Sequence, residues 1–195
     1  MFRPFAALLL TFVAACAAGR APREASPPQA ATPPPVAPNV PLPAFATTEA
    51  LVARPEVRAL VGALAATSTF ASEHVSYDAH TSEEFKAFQR LRAVATEAEM
   101  IALLGHTSPV VRAYAAEHAI ERDLEAAPLD TLLSDPTWVR TQYGCLGGEM
   151  PVSRVVAQSL CNAREKPMAA RKLGELARQG QGELAAIASR CLTLP

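Results

Sequence analysis

Helix is expected over most of this 195-residue chain, making its fold all-α, and three observations lead there. From Thr47 to Pro195 the sequence is rich in Ala, Leu, Arg and Glu, all good helix formers, and β-branched runs are rare. The prolines of this stretch occur singly, and Pro55, Pro109, Pro128, Pro136 and Pro167 each stand where a helix can begin, since a first turn has no use for the missing N–H. A hydrophobic-plus-basic pair recurs as Val57-Arg58, Phe85-Lys86, Val111-Arg112, Val139-Arg140 and Ala170-Arg171. Its steps are about 26 to 31 residues, the length of a two-helix hairpin.

Two other segments precede the helices. Met1-Phe2-Arg3 gives a short positive start, and Phe5 to Ala15 is an apolar run broken only by Thr11. At ~1.5 Å per helical residue the run falls well short of the ~30 Å of a bilayer core, so residues 1–15 read as a signal peptide and not as an anchor helix. It closes with Val13-Ala14-Ala15-Cys16, which resembles the lipobox of bacterial lipoproteins. The resemblance implies cleavage before Cys16 and acylation of that cysteine, with several chains making attachment to membrane lipid effectively permanent. Ala17 and Ala18 follow, with no Asp to act as an inner-membrane retention signal, which by analogy implies the outer membrane of a Gram-negative bacterium.

Residues 16–46 then form a Pro-rich linker. Nine of the 17 prolines lie between Pro22 and Pro43 among Ala, Ser, Thr and Val, a composition without hydrophobic period and poor in backbone donors. Such a segment is expected to be disordered, extended and solvated, at ~3.1 Å per residue a spacer of roughly 70 Å.

Residues 47–195 are expected to form short helices of about two to four turns, broken at Gly105 to Ser108, Ser134-Asp135, Gly144 to Gly148 and Gln179 to Gly182. The segment Leu103-Leu104-Gly105-His106-Thr107-Ser108-Pro109-Val110-Val111-Arg112-Ala113-Tyr114-Ala115-Ala116 resembles a HEAT repeat: a Leu-Leu helix end, a polar turn, Pro, Val-Arg, then small residues for close helix packing. The copy at Leu132 to Arg140 is one residue shorter and runs into Tyr143-Gly144-Cys145 where an Ala-rich face belongs. The resemblance implies stacked helical hairpins, a HEAT-like α-solenoid, in which the ten residues of the recurring pairs mediate stacking. It also implies that the repeated basic residue ties one turn to the next, with Asp135 as the candidate acceptor.

Little else carries chemistry. With Cys16 assigned to lipid, Cys145, Cys161 and Cys191 remain, and an envelope compartment pairs two of them. Cys145 with Cys161 closes the shortest loop, and Cys161 with Cys191 is the alternative. His74, Asp78 and His80, with Glu83 nearby, are candidates for a metal or catalytic site, although their spacing is neither the i, i+4 pair of a zinc helix nor a soft-ligand cluster. His106 and His118 read as turn and helix-surface residues. Cys145-Leu146-Gly147-Gly148-Glu149 lacks the Gly-Lys-Ser/Thr ending of a phosphate loop, and no nucleophile elbow or His-Glu-x-x-His is present.

Eighteen Lys and Arg against 19 Asp and Glu, with one Trp and three Tyr, offer no basic aromatic surface for nucleic acid. The resulting expectation is a lipid-anchored cell-envelope protein, not an enzyme and without cofactor. Its helical domain would bind or scaffold an envelope protein that the sequence does not identify. The alternative is an envelope enzyme or metal-binding protein that uses His74, Asp78 and His80.

Overall fold

The computed structural model describes residues 45–193, all within one compact unit. The leader, Cys16 and the Pro-rich segment up to Ala44 lie outside the described residues. In chain order the elements are α1 (Thr48–Leu51), α2 (Pro55–Ala65), β1 (Thr69–Val75), β2 (His80–Thr81), α3 (Glu83–Val94) and α4 (Glu97–Ala102), which runs into a 3₁₀ turn, Leu103–Gly105. There follow α5 (Pro109–Glu121), α6 (Leu129–Leu133), β3 (Trp138–Gly144), β4 (Leu146–Pro151), α7 (Val152–Asn162), α8 (Pro167–Arg178) and α9 (Gly182–Thr193).

Local chemistry sets many of the helix starts. Proline occupies the first turn of α2, α5 and α8. Ser82 accepts a hydrogen bond from the Phe85 N–H at the start of α3, and Thr96 and Glu99 form a reciprocal capping box on α4. Pro128 precedes α6 as its cap residue, while Pro136 leads into a strand and begins no helix.

The all-α solenoid is therefore corrected. The chain forms an α/β fold with a four-stranded mixed sheet ordered β2-β1-β3-β4. β1 and β3 run parallel with Phe70 beside Thr141, and each carries an antiparallel neighbour, β2 and β4 respectively. The residues explain the strands: Thr69, Phe70 and Val75 in β1, and Trp138, Val139, Thr141 and Tyr143 in β3, are the β-branched and aromatic types that suit a pleated, half-buried surface. In β3, Val139 and Thr141 point into the protein while Trp138 and Arg140 point out, the period-two alternation of a sheet with one covered face. The Gly144 to Gly148 stretch, read as a helix break, is a hairpin tip and an edge strand, with Gly144 at φ 55° supplying the turn.

The recurring pairs divide accordingly. Val57-Arg58, Phe85-Lys86, Val111-Arg112 and Ala170-Arg171 all lie in the first turn or so of a helix, but Val139-Arg140 lies on β3 and stacks no hairpin. Val57, Phe85, Val111 and Val139 are buried, and among the basic members only Arg112 is. Lys86 pairs with Glu83, Arg140 lies 3.9 Å from Glu149 across the hairpin, and Arg171 reaches Glu125 and Glu175.

Helix α5 is the centre of the molecule. From Val110 to Ile120 every residue but the partly buried Glu117 is buried, and the helix packs against α2, α4, α6, α7, β1 and β3. Tyr114 joins it to the sheet: its hydroxyl donates to the Ala71 carbonyl (2.9 Å) and accepts from the Ala71 N–H (3.0 Å). Its ring packs between Phe70 and Phe88, at centroid distances of 4.6 and 4.7 Å.

At the N-terminal end of α5, Arg112 and Asp135 form a fully buried ion pair. Arg112 donates through Nε (2.9 Å) to Asp135 Oδ2, and through Nη1 to the carbonyls of His106 (2.7 Å) and Thr107 (2.9 Å). Asp135 Oδ1 accepts from the Thr137 N–H, and the Phe45 ring covers the guanidinium at 3.8 Å. Beside it, Ala46 bridges His106, so Phe45 and Ala46 belong to the folded domain and not to the linker.

A disulfide joins Cys161 on α7 to Cys191 on α9, with Cα atoms 5.4 Å apart. The preferred Cys145–Cys161 pairing is thereby corrected: Cys145 is exposed and free in the β3–β4 turn. Sequence proximity favoured the wrong pair because the hairpin carries Cys145 away along the sheet while α9 returns against α7.

Replacing Asp135 by Asn keeps the shape and removes the charge opposite Arg112, so it is expected to lower unfolding stability by about 3–5 kcal/mol. Urea denaturation measures it. A loss below about 1 kcal/mol would mean that the His106 and Thr107 carbonyls hold Arg112 unaided.

Candidate functional site

Helices cover one face of the sheet and leave the other open. On the open face Arg140 aligns with Thr69 on β1 and Glu149 on β4, and Trp138 stands at the end of the strand with 63% of its surface exposed. A groove of about 430 Å³ runs from Trp138, Arg140 and Glu149 to Ser108, Pro109 and Thr67. A second, of about 520 Å³, shares Arg140 and Glu149 and continues over Gln142 and Gly147-Gly148. Gly147 and Gly148 leave one stretch of the outer strand without side chains. An exposed Trp beside a mixed-charge pair and open peptide groups is equipped for protein contact: Trp and Arg are enriched among the residues that dominate binding energy.

A separate groove of about 330 Å³ lies between α5 and the end of α7, lined by Glu117, Glu121, Ser159, Asn162, Glu165 and Lys166 among others. Glu117 Oε2 is buried without a hydrogen-bond partner among the described residues. Burial, reinforced by the neighbouring Glu121 charge and opposed by Arg92, pushes the Glu117 carboxyl up to about 7. Burial likewise raises the hydroxyls of Tyr114 and Tyr143, with the Glu117 charge adding to each. Sequence reading missed Glu117; the available signal was one acid inside the run Ala113-Tyr114-Ala115-Ala116-Glu117-His118-Ala119-Ile120.

His106 lies in the turn before α5, where it was expected. His106 is buried, and its Nδ1 accepts from the Ser108 N–H (2.9 Å). The proton therefore sits on Nε2, which faces Thr48 Oγ1 at 2.7 Å. His118 is also buried, not on the helix surface. Burial first, then the Arg112 charge for His106 and the Arg92 and Arg122 charges for His118, lower both below the ordinary histidine value.

His74, Asp78 and His80 belong to the exposed β1–β2 hairpin. His80 Nδ1 meets Asp78 Oδ1 at 2.8 Å, while Glu83 is engaged by Lys86. Among the described residues no three His, Cys, Asp or Glu side chains are grouped to hold a metal ion. No helix among them is long and apolar enough to cross a membrane. Comparison with known protein families, curated proteins and solved structures finds no match to the chain.

The buried ionisable groups give opposing pH effects. The Glu117 carboxyl is raised on folding, so its contribution to stability is whole below its unfolded value of 4.5, declines from there and is gone above about 7. His106 and His118 are lowered on folding, so theirs is whole above 6.5 and declines as the pH falls below it. Glu117→Gln should consequently gain stability relative to wild type by up to about 3 kcal/mol as the pH rises from about 4 to 8. Parallel urea-denaturation curves for the two proteins over that range would contradict the burial of this carboxyl.

Proposed function

We propose that this chain is an exported protein held at the cell-envelope membrane by acyl chains on Cys16, presenting its α/β domain on the Pro-rich segment as a protein-binding module. The observation that carries the binding part is Trp138, exposed on the open sheet face at the mouth of a groove. A large aromatic in that position loses apolar hydration when a partner covers it.

Two further features support the reading. The Cys161–Cys191 disulfide fits an oxidising compartment outside the cytoplasm, where such bonds persist. The Val13-Ala14-Ala15-Cys16 sequence supplies a lipidation signal, and Ala17-Ala18 after it favours the outer membrane of a Gram-negative bacterium. The partner is an envelope protein presenting an apolar or extended segment to the β4 side of the sheet, where an added strand can pair with free backbone groups.

Fatty-acid labelling and membrane fractionation test the anchor: wild type should carry label and sediment with membranes, and Cys16→Ala should do neither. Equal behaviour of the two proteins would remove the lipoprotein reading. In-cell crosslinking with mass spectrometry tests the surface. Trp138→Ala should fold normally and lose a reproducible wild-type partner by a factor of about 30, the weight of an interfacial Trp worth ~2 kcal/mol. Retention of that partner at wild-type yield would exclude the Trp138 face as the contact.

A further inference from the structure

The two edges of the sheet are unlike. β2 closes one side with only two residues, whereas β4 runs along the other from Leu146 to Pro151, with Leu146 to Glu149 exposed and β3 and α7 as its chief neighbours. The direction of its backbone groups follows from β3. The Gly144 carbonyl accepts from the Ser76 N–H and its own N–H is given to Ser72, so alternate residues of β3 face β1 and the others, Val139, Thr141 and Tyr143, face β4. These three pair with Met150, Gly148 and Leu146, which leaves the N–H and C=O groups of Gly147 and Glu149 pointing outward.

An open edge is a template for another strand, and folded chains usually blunt it with lysine, proline or a covering element. β4 carries no lysine, and its one proline, Pro151, stands at the end. Its sequence instead complements itself. In an antiparallel pairing of two β4 strands about a two-fold axis at Gly148, Gly147 of one copy and Glu149 of the other exchange both N–H···O bonds, and the axis repeats the exchange. Leu146, 77% exposed, then faces Met150 of the second copy on the helix side of the sheet. On the open face each Glu149 stands between its own Arg140 and, past the bare Gly147, Gln142 of the second copy, so the two carboxylates are not directly opposed. The neighbouring registers are poorer. An axis at Glu149 sets the two carboxylates against each other and pairs Gly147 with Pro151, which has no N–H, while an axis at Gly147 places Leu146 opposite Gly148.

We propose that the β4 edge is a homodimer interface, in which β4 of a second copy continues the sheet across a two-fold axis at Gly148. The inference rests on the reading of the β4 side as the place where a strand is added, and it names that strand. The axis stands perpendicular to the sheet, so the open faces of the two copies become one surface that carries both Trp138 side chains, each paired across its own hairpin with Pro151 and away from the axis.

Light scattering and disulfide crosslinking of the full chain test the interface, in a Cys16→Ala, Cys145→Ser background that removes the acylation site and the free thiol. The background chain should be a dimer. Gly148→Cys should crosslink on mild oxidation, because residues facing each other in a non-hydrogen-bonded antiparallel pair have Cα atoms about 4.5 Å apart, within disulfide reach. Gly147→Cys should crosslink about tenfold less, since its two copies are set diagonally at about 7–8 Å. A Cβ at either position makes only ordinary contacts, so both variants should fold. Glu149→Pro deletes an outward N–H that β3 does not use, and it should leave a folded monomer and abolish the Gly148→Cys crosslink. Trp138→Ala should keep the crosslink, which separates this interface from the contact assigned to Trp138. A monomeric background chain, or no crosslink at Gly148, would overturn the proposal and leave the Cys16 and Trp138 tests standing. So would Gly147→Cys crosslinking as well as Gly148→Cys, a dimer that survives Glu149→Pro, or a crosslink lost in Trp138→Ala.

Discussion

Arg112 and Asp135 are both withdrawn from water, and the chain around them is arranged to meet their charges. The guanidinium is met by one carboxylate, two carbonyls and an aromatic face, while the second carboxylate oxygen takes the Thr137 N–H. Ser153 donates its N–H to the Asp135 carbonyl, and Val152 to that of Thr137. Five separate pieces of chain are thereby fixed to one another: the strap at Phe45, the turn before α5, α5 itself, the turn before β3, and the start of α7. A buried pair of this kind contributes less through its own attraction than through the arrangements it forbids, because any packing that separates the partners leaves a bare charge in an apolar interior.

That junction makes a mixed architecture possible. The turns before α5 and before β3 are locked together, so the strand that follows Asp135 leaves in a set direction, and Tyr114 two residues along α5 takes hold of β1 through Ala71. The parallel pairing of β1 and β3 thus rests on two polar contacts made from within one turn of a single helix. The small residues of α5, Ala113, Ala115, Ala116 and Ala119, let helices and sheet approach it from all sides.

What the sequence disclosed and what it concealed follow from range. Proline and capping residues act within a turn, and the starts of α2, α5 and α8 could be read from Pro55, Pro109 and Pro167. Asp135 could be named as the acceptor for Arg112 because it is an acid in the next turn, where such an arginine finds a fixed partner. The sheet could not be read, because its strands are seven residues or fewer and β1 meets β3 across about seventy positions of intervening chain. The Val139-Arg140 pair misled for the same reason: a buried Val followed by an exposed basic residue satisfies a strand with period two as well as a helix face. Of the candidate sites, Trp138 lies inside the repeat copy at Leu132 to Arg140 and Glu117 beside His118, and neither position stands out in the sequence. The exposure of one and the burial of the other are decided by elements distant in sequence.

The strap at Phe45 and Ala46 also decides how the domain bears mechanical load. Tension applied to the chain ahead of Phe45 enters through the two backbone hydrogen bonds between Ala46 and the turn at Gly105 to Thr107, and through the ring lying on Arg112. The force therefore arrives at the most interlocked part of the molecule and not at a frayed end. The far terminus is secured differently, by a covalent link between α7 and α9 that pulling cannot loosen. Tension entering ahead of Phe45 would thus meet the buried junction first, while α9 is held by a covalent bond.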